Sequence, residues 1–266
     1  MIIVNGIEVK QEQFGDGTLK CEAVHGDEIL ANGNVIWWLY DNDAELFTLY
    51  CVVRDLQNRM PTAQNYLFMP YIPHARQDRN VSGRLFTLKY FSEIINTLNF
   101  YYVAVLDPHS EASSCLIDRM VYLPFENQLD YIEGYDAIMY PDAGAAKKYS
   151  RAAKLPVIIG NKHRNEEGRI DSYELLNFPE GTKSVIIRDD ICSYGGTFVA
   201  AAKALREHGV EKIMLMVSHC ENNILKGEVF DYIDRVVTTD TICTIEHPKL
   251  EFAARYRTDE GEREDV

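Results

Sequence analysis

The stretch Val185-Ile186-Ile187-Arg188-Asp189-Asp190-Ile191-Cys192-Ser193-Tyr194-Gly195-Gly196-Thr197 decides how the chain is read. Its apolar start reads as a buried strand, which runs into two adjacent acids. A Gly-Gly turn follows, and then a helix over Gly196 to His208. Paired carboxylates can accept hydrogen bonds from vicinal sugar hydroxyls. A glycine turn at a helix N-terminus points backbone N–H groups at an anion. Diol acceptors followed by a phosphate cradle describe a ribose-phosphate site. A polar strand end with a glycine turn is also a common structural feature, and Gly-Gly-Thr alone would mean no more. The order strand, acids, turn, helix carries the functional reading.

Outward from this stretch the same rhythm recurs. Asn5-Gly6 between Ile2-Ile3-Val4 and Ile7-Glu8-Val9 predicts a tight hairpin. Val35 to Tyr40, Tyr66 to Met69 and Tyr101 to Leu106 read as strands, with helices over Ala44 to Asn58 and Arg84 to Leu98 between them. The second half reads as strands at Ala137 to Tyr140, Val157 to Ile159, Val185 to Ile187, Ile213 to Val217 and Arg235 to Val237. A helix lies over Ala145 to Ala153 and a polar stretch over Asn161 to Ser172. Alternating strands and helices with near-continuous apolar strands predict an α/β chain with two mainly parallel sheets, their seam near Pro124 to Asp130. Function in such sheets gathers at the C-terminal strand ends. Here those ends carry Pro73 to Asn80, Asp107 to Glu111, Pro141 to Gly144 and Arg188 to Thr197.

The bulk composition narrows the classes. The 266 residues suit two domains, and 46% of them are hydrophobic, enough for real cores. With 27 Lys+Arg against 41 Asp+Glu, the net charge of -14 speaks against a nucleic-acid-binding face. No apolar run is long enough for a membrane span, and MIIVNGIEVKQEQ lacks the features of a secretory signal, so a cytoplasmic protein is expected. The six cysteines include no CxxC pair and are expected to be reduced.

The central segment resembles the phosphoribosyl-pyrophosphate binding signature, and further motifs narrow the resemblance to the ribose-phosphate pyrophosphokinase family. Phe14-Gly15-Asp16-Gly17 is similar to the family's Phe-Ser-Asp-Gly. Pro70 to Arg79, PYIPHARQDR, is similar to its Pro-Tyr-x-x-Tyr-Ala-Arg-Gln-Asp-Arg. Asp107-Pro108-His109-Ser110-Glu111 is similar to Asp-Leu-His-Ala-Glu, and Pro141-Asp142-Ala143-Gly144 to Pro-Asp-x-Gly. Asn161-Lys162-His163-Arg164 stands where Asp-Lys-Arg-Arg begins the family's catalytic flap. Ser218-His219 and Thr239-Asp240-Thr241-Ile242 resemble its late Thr-His and Asp-Thr-Ile. Each match is weak alone. Their common order from Phe14 to Ile242 is specific.

The resemblance implies two tandem phosphoribosyltransferase-like domains, each a mainly parallel sheet flanked by helices. They would occupy residues 1–125, with the ATP motif, and 126–245, with the ribose-phosphate loop and flap, leaving 246–266 as a charged tail. It implies transfer of the β,γ-diphosphate of ATP to the anomeric hydroxyl of ribose 5-phosphate, releasing AMP, with Mg2+ on the triphosphate. Lys162, Arg164 and His109 would then be catalytic, and Phe14, Asp16, Arg76, Gln77, Asp78 and Arg79 would bind ATP. Asp189, Asp190, Ser193, Tyr194, Gly195, Gly196 and Thr197 would hold the ribose phosphate. His109 and Asp142 would meet the metal, although imidazole is an unusual magnesium ligand. Phe14 and Asp16 would serve a neighbouring subunit, which implies a homodimer or a larger homo-oligomer. The plain structural alternatives are a core aromatic for Phe14, a structural histidine for His109 and ordinary surface cations for Lys162 and Arg164.

The chain departs from the family pattern in its phosphate loop, where Asp-Thr-Gly-Gly-Thr is Ser193-Tyr194-Gly195-Gly196-Thr197. A tyrosine in a loop that grips a terminal phosphate either points to solvent or signals a different acceptor. ADP-ribose presents the same ribose with its 5′-phosphate esterified onward, and Tyr194 could stack on the added adenosine. Thr18 replaces an acid, and the Ile2 to Val9 hairpin stands in place of the family's first βα unit. Two other classes compete: a non-catalytic nucleotide-binding relative, and a phosphoribosyltransferase sharing only the ribose-phosphate loop. The intact Lys162, Arg164, His109, Asp142 and Arg76 speak against the first. Ala75-Arg76-Gln77-Asp78-Arg79, with Lys162 and Arg164, speaks against the second.

Overall fold

Asn5 and Gly6 both take left-handed backbone, with φ of 51° and 91°. That conformation is what a two-residue reversal between twisted strands requires, and Asn and Gly are the residues that tolerate it. The turn joins strands β1 (Ile2–Val4) and β2 (Ile7–Glu8), as the sequence predicts. The computed structural model describes residues 1–24, 32–81, 83–125, 131–164 and 170–257, without the side chains of 163, 164, 170 and 171. The chain divides into two compact units, one ending at Pro124 and the other beginning at Phe125.

In the first unit, β5 (Gly33–Trp38), β6 (Gln64–Phe68), β7 (Tyr102–Leu106) and β8 (Met120–Leu123) pair in parallel. The hairpin strand β1 closes on β5 in antiparallel sense, giving the order β2-β1-β5-β6-β7-β8. Helices Ala44–Arg59 and Thr87–Thr97 cover the sheet, with Leu49, Val53, Leu56, Leu88, Phe91 and Ile95 in one core with Ile36, Trp38 and Leu67. The second helix starts three residues later than the sequence pattern suggests. Arg84 N–H donates to Val81 O at 2.8 Å and Gly83 has φ of 78°, so Arg84 closes a tight turn instead of starting the helix. A separate ribbon, β3 (Gln11–Gln13) and β4 (Leu19–Cys21), carries the Phe14 to Gly17 turn at its tip.

The second unit is a seven-stranded sheet in the order β11-β10-β9-β12-β13-β14-β15. Its strands are β9 (Ala137–Tyr140), β10 (Val157–Arg164), β11 (Ile170–Leu176), β12 (Ser184–Cys192), β13 (Lys212–Cys220), β14 (Arg235–Thr239) and β15 (Leu250–Ala254). Only β11 runs antiparallel to its neighbour. Helix Gly196–Glu207 buries Phe198, Ala201, Ala202 and Leu205 in a core with Val185, Ile187, Leu215 and Val217. The fold is α/β with mainly parallel sheets flanked by helices.

Two sequence expectations are corrected. Asn161 to Ser172 is not simply a polar connection. Its ends are the arms of an antiparallel ribbon, with Lys162 opposite Tyr173, while residues 165–169 lie outside the described residues. Residues 246–266 are not all tail. Leu250–Ala254 pairs in parallel with β14 at the sheet edge, and Lys249 Nζ donates to Phe230 O and Ile233 O. The Arg257 guanidinium donates to the Thr241 carbonyl at 3.0 Å. In the sequence pattern the charged residues that follow outweigh this short, partly apolar strand. Residues 258–266 lie outside the described residues.

Candidate active site

β12 lies between β9 and β13, so its C-terminal end sits in the middle of a row of strand ends. Asp189 and Asp190 stand there as chain neighbours, with the Asp190 N–H donating to Asp189 Oδ1 at 2.9 Å. Asp190 is buried and accepts from Lys148 Nζ at 3.3 Å, a cation from helix Ala143–Tyr149. Asp189 lies in a more acidic setting. Burial first, then the neighbouring charges of Asp190 and Asp142, push its carboxyl up to about 7.

Asp142 follows β9. Its Oδ1 accepts from Ala145 N–H at 3.0 Å, capping the helix Ala143–Tyr149, and its Oδ2 accepts from Lys162 Nζ at 2.7 Å. Burial alone would raise this carboxyl. The Lys162 ammonium and the N–H groups of Ala145 and Gly144 outweigh it and hold Asp142 below the usual carboxylate range. Tyr173, opposite Lys162 on β11, donates its hydroxyl to Pro141 O at 2.8 Å. Gly160 makes this approach possible: a Cβ there would lie 2.1 Å from the tyrosine oxygen.

Arg188 is fully buried just before the two acids. Its Nη2 donates to Ser218 Oγ at 3.1 Å, and its guanidinium lies 4.3 Å from the Tyr149 ring centre and 5.1 Å from that of Phe125. Carbonyl, hydroxyl and ring partners suit a planar guanidinium. Beside the acids it keeps one permanent positive charge behind them.

After Cys192 the loop turns through Gly195, whose φ of 78° starts the helix Gly196–Glu207 without a side-chain cap. The first N–H groups of that helix therefore depend on a ligand or water. Two glycines let the loop seat on the segment after β13. A Cβ on Gly195 would lie 2.0 Å from Val229 Cγ2, and one on Gly227 would lie 2.0 Å from Tyr194 O. Ser193 Oγ donates to Glu221 Oε2 at 2.5 Å. The Tyr194 residue is 54% exposed.

In the first unit, buried Ile72 and Ala75 anchor the loop after β6, on which Arg76, Gln77 and Arg79 are exposed. Asp78 fastens this loop to the next strand end: its Oδ2 accepts from Ser110 Oγ at 2.7 Å and its Oδ1 from Arg79 Nε at 2.9 Å. Burial acts to raise the Asp78 carboxyl, but Ser110 and Arg79 outweigh it and lower it. His109, beside Ser110, is exposed. On the ribbon, Asp16 Oδ1 accepts from Thr18 N–H and from Thr18 Oγ1, closing the turn. Phe14 is 55% exposed, so it is not the core aromatic of the structural alternative.

A ribose-phosphate pyrophosphokinase from Marinomonas sp. is 30% identical over 223 residues, covering 76% of this chain and 67% of the relative. The chain belongs to the ribose-phosphate pyrophosphokinase family. It is thus an enzyme of a transferase family. The pyrophosphokinase from Campylobacter jejuni is 28% identical over 253 residues, covering 87% of this chain and 78% of the relative. Phosphoribosylpyrophosphate synthetase from Mycobacterium smegmatis shares the fold, with a TM-score of 0.75 at 17% identity over 92% of this chain and 85% of that one. No protein-family model matches the chain.

Within this pyrophosphokinase framework, Asp142, Lys162, Asp189 and Asp190 share one row of strand ends in the second unit, beside the Ser193 to Thr197 loop. Arg76, Gln77, Asp78, Arg79 and His109 lie at two strand ends of the first unit. Phe14 and Asp16 lie apart from those strand ends, on the ribbon. Arg164 ends β10, and its side chain lies outside the described residues. Sequence reading missed Lys148, Tyr173, Arg188 and Glu221. Only Arg188 carried a signal, as a charge inside an apolar strand run.

Proposed function

We propose that the protein is an ATP-dependent diphosphokinase that moves the β,γ-diphosphate of ATP to the anomeric 1-hydroxyl of a ribose 5-phosphate unit, releasing AMP. The observation that carries this reading is the end of β12. Two acids of unequal environment lead directly into a glycine-started helix, with the Lys162–Asp142 pair on the neighbouring strand ends. The acids accept the ribose diol, and the helix N-terminus takes the 5′-phosphate. Lys162 and Arg164 neutralise charge that spreads over the transferring phosphoryl oxygens. Arg76, Gln77 and Arg79 hold the nucleotide, as guanidinium groups pair with phosphate and stack on rings. Asp78, tied to Ser110 and Arg79, positions that loop. Phe14 and Asp16, on the ribbon tip, serve the adenine of a neighbouring subunit in a homodimer or larger assembly.

Mg2+ enters with the triphosphate. Among the described residues no group of three or more His, Cys, Asp or Glu side chains could hold a metal alone. Magnesium favours oxygen ligands and keeps several waters, so most of its shell would come from phosphate oxygens and water. Asp142 would supply an oxygen, directly or through water, and the ion would offset triphosphate charge. His109, an exposed imidazole, is the weaker ligand. Among the described residues no helix is long and apolar enough to cross a membrane.

A second reading, with ADP-ribose as acceptor and its 1-diphosphate as product, is favoured by the exposed Tyr194 ring at the phosphate loop. An exposed aromatic ring in this loop supports stacking on a group that continues beyond the 5′-phosphate. The test is AMP release from ATP and Mg2+ with either acceptor. Release that depends on an acceptor supports the activity. No release with either rejects it.

A further inference from the structure

Glu221 lies outside the motifs that carry the family resemblance, yet it is hydrogen-bonded to the phosphate loop. β12 and β13 are parallel neighbours with Cys192 opposite Cys220, so the residues that follow them emerge side by side. Glu221 N–H donates to Cys192 O at 2.8 Å, which fixes the backbone of one exit against the other. The Glu221 carboxylate then accepts on Oε2 from Ser193 Oγ at 2.5 Å and from Asn223 Nδ2 at 3.0 Å. The same segment supports the loop through Gly227 against Tyr194 and Val229 against Gly195.

Two consequences bear on what the loop can hold. A serine hydroxyl has one proton, and here Glu221 receives it, so Ser193 presents lone pairs rather than a donor to an incoming phosphate. A carboxylate also places negative charge in the loop wall. A terminal phosphate is close to a dianion near neutral pH, whereas a phosphate esterified on both sides carries one charge. The repulsion from Glu221 therefore falls more heavily on the terminal phosphate.

We propose that Glu221 is a specificity-determining residue that selects acceptors whose 5′-phosphate is esterified onward over acceptors that end in a phosphate dianion. The inference rests on the reading that this loop holds the acceptor's 5′-phosphate. It assigns Ser193 a different part from that of an ordinary phosphate donor: Ser193 carries the carboxylate's influence to the loop mouth.

The test compares kcat/KM for ADP-ribose and ribose 5-phosphate by AMP release, in the full-length protein and in Glu221→Gln. Glutamine keeps an acceptor for Ser193 and removes the charge. The native protein should favour ADP-ribose, and the ratio should fall about tenfold in Glu221→Gln, chiefly through better use of ribose 5-phosphate. Glu221→Asp should retain the preference for ADP-ribose, which a purely structural role for the side chain would not require. A native protein that favours ribose 5-phosphate overturns the inference without any variant and leaves the diphosphokinase reading standing. An unchanged ratio in a folded Glu221→Gln protein does the same. No release with either acceptor removes both.

Discussion

At the scale of single residues the site is a balance of charges, and Lys162 and Asp189 are its informative members. Lys162 Nζ donates to Asp142 Oδ2 at 2.7 Å. As a group for the transition state, it must exchange that partner for phosphoryl oxygens as charge develops. Lys162→Ala should lower kcat by about 100-fold or more while changing the KM for ATP only a few-fold. A large rise in KM with kcat intact would make it a ground-state ligand instead. Asp189 has a carboxyl raised to about 7, chiefly by burial. A folded-state value above the unfolded one means that the folded state binds the proton more tightly. Stability from this group is therefore present at low pH and is lost as pH rises from about 4 to about 7. Asp189→Asn should raise the melting point at pH 8 by an amount corresponding to about 2 kcal/mol and change it little at pH 4. A gain of equal size at both pH values would show that ionisation is not the cause. The same titration sets function: the ionised carboxylate is the better acceptor for a sugar diol, so the acceptor KM should fall from pH 6 to pH 8 in the native protein and not in Asp189→Asn.

At the scale of elements, the loop-to-helix junction explains its glycines by two different causes. Gly195 needs positive φ and close approach to Val229, and Gly227 needs close approach to the Tyr194 backbone. Gly196 has nothing within 4 Å of the place its Cβ would take, and it begins a helix. Gly195→Ala and Gly227→Ala should each cost roughly 2 kcal/mol or more, through strain and overlap, and should raise the acceptor KM. Gly196→Ala should leave the melting point near native, because alanine is well tolerated in a helix. Thermal melts of the three proteins decide it, and equal losses would mean that the loop is not seated as described.

The same scale shows what the sequence made legible. The parallel strands stand out because burial on both faces requires unbroken apolar runs such as Val185-Ile186-Ile187. Among the described residues five strands escaped, two of them the three-residue, largely polar β3 and β4. β11 is a ribbon arm that alternates polar and apolar residues, β15 sits on the sheet edge next to a charged terminus, and β8 is only four residues long. Residues of the site found from sequence are those whose spacing is local, as in Asp189 to Thr197. Lys148 and Glu221 reach the site from other elements, and local sequence has no term for a contact formed across 42 or 28 positions.

At the scale of the whole molecule, the net charge of -14 leaves few cations for an anionic substrate, so their distribution matters. Arg76, Arg79 and Lys162 stand at strand ends, where parallel sheets put their ligands, and Lys148 reaches the end of β12 from the helix Ala143–Tyr149. The Phe14 to Gly17 tip is different in kind. It lies on a two-stranded ribbon outside both large sheets, with Phe14 exposed and its turn closed by Asp16 and Thr18. An exposed aromatic on a well-formed turn suits a contact made outside its own chain. If the tip serves the adenine of a second subunit, Phe14→Ala/Asp16→Ala and Lys162→Ala damage different chains of each composite site. Co-expressed, the two inactive proteins form mixed dimers in which one site collects both defects and the other collects none. Activity should then return to about a quarter of the native level for random pairing in a dimer. Each variant expressed alone should stay inactive, and sedimentation should show a species larger than one chain. Absence of recovery from mixed dimers that are shown to form would place the ribbon at its own subunit's nucleotide, because only then do both substitutions leave every site with a defect.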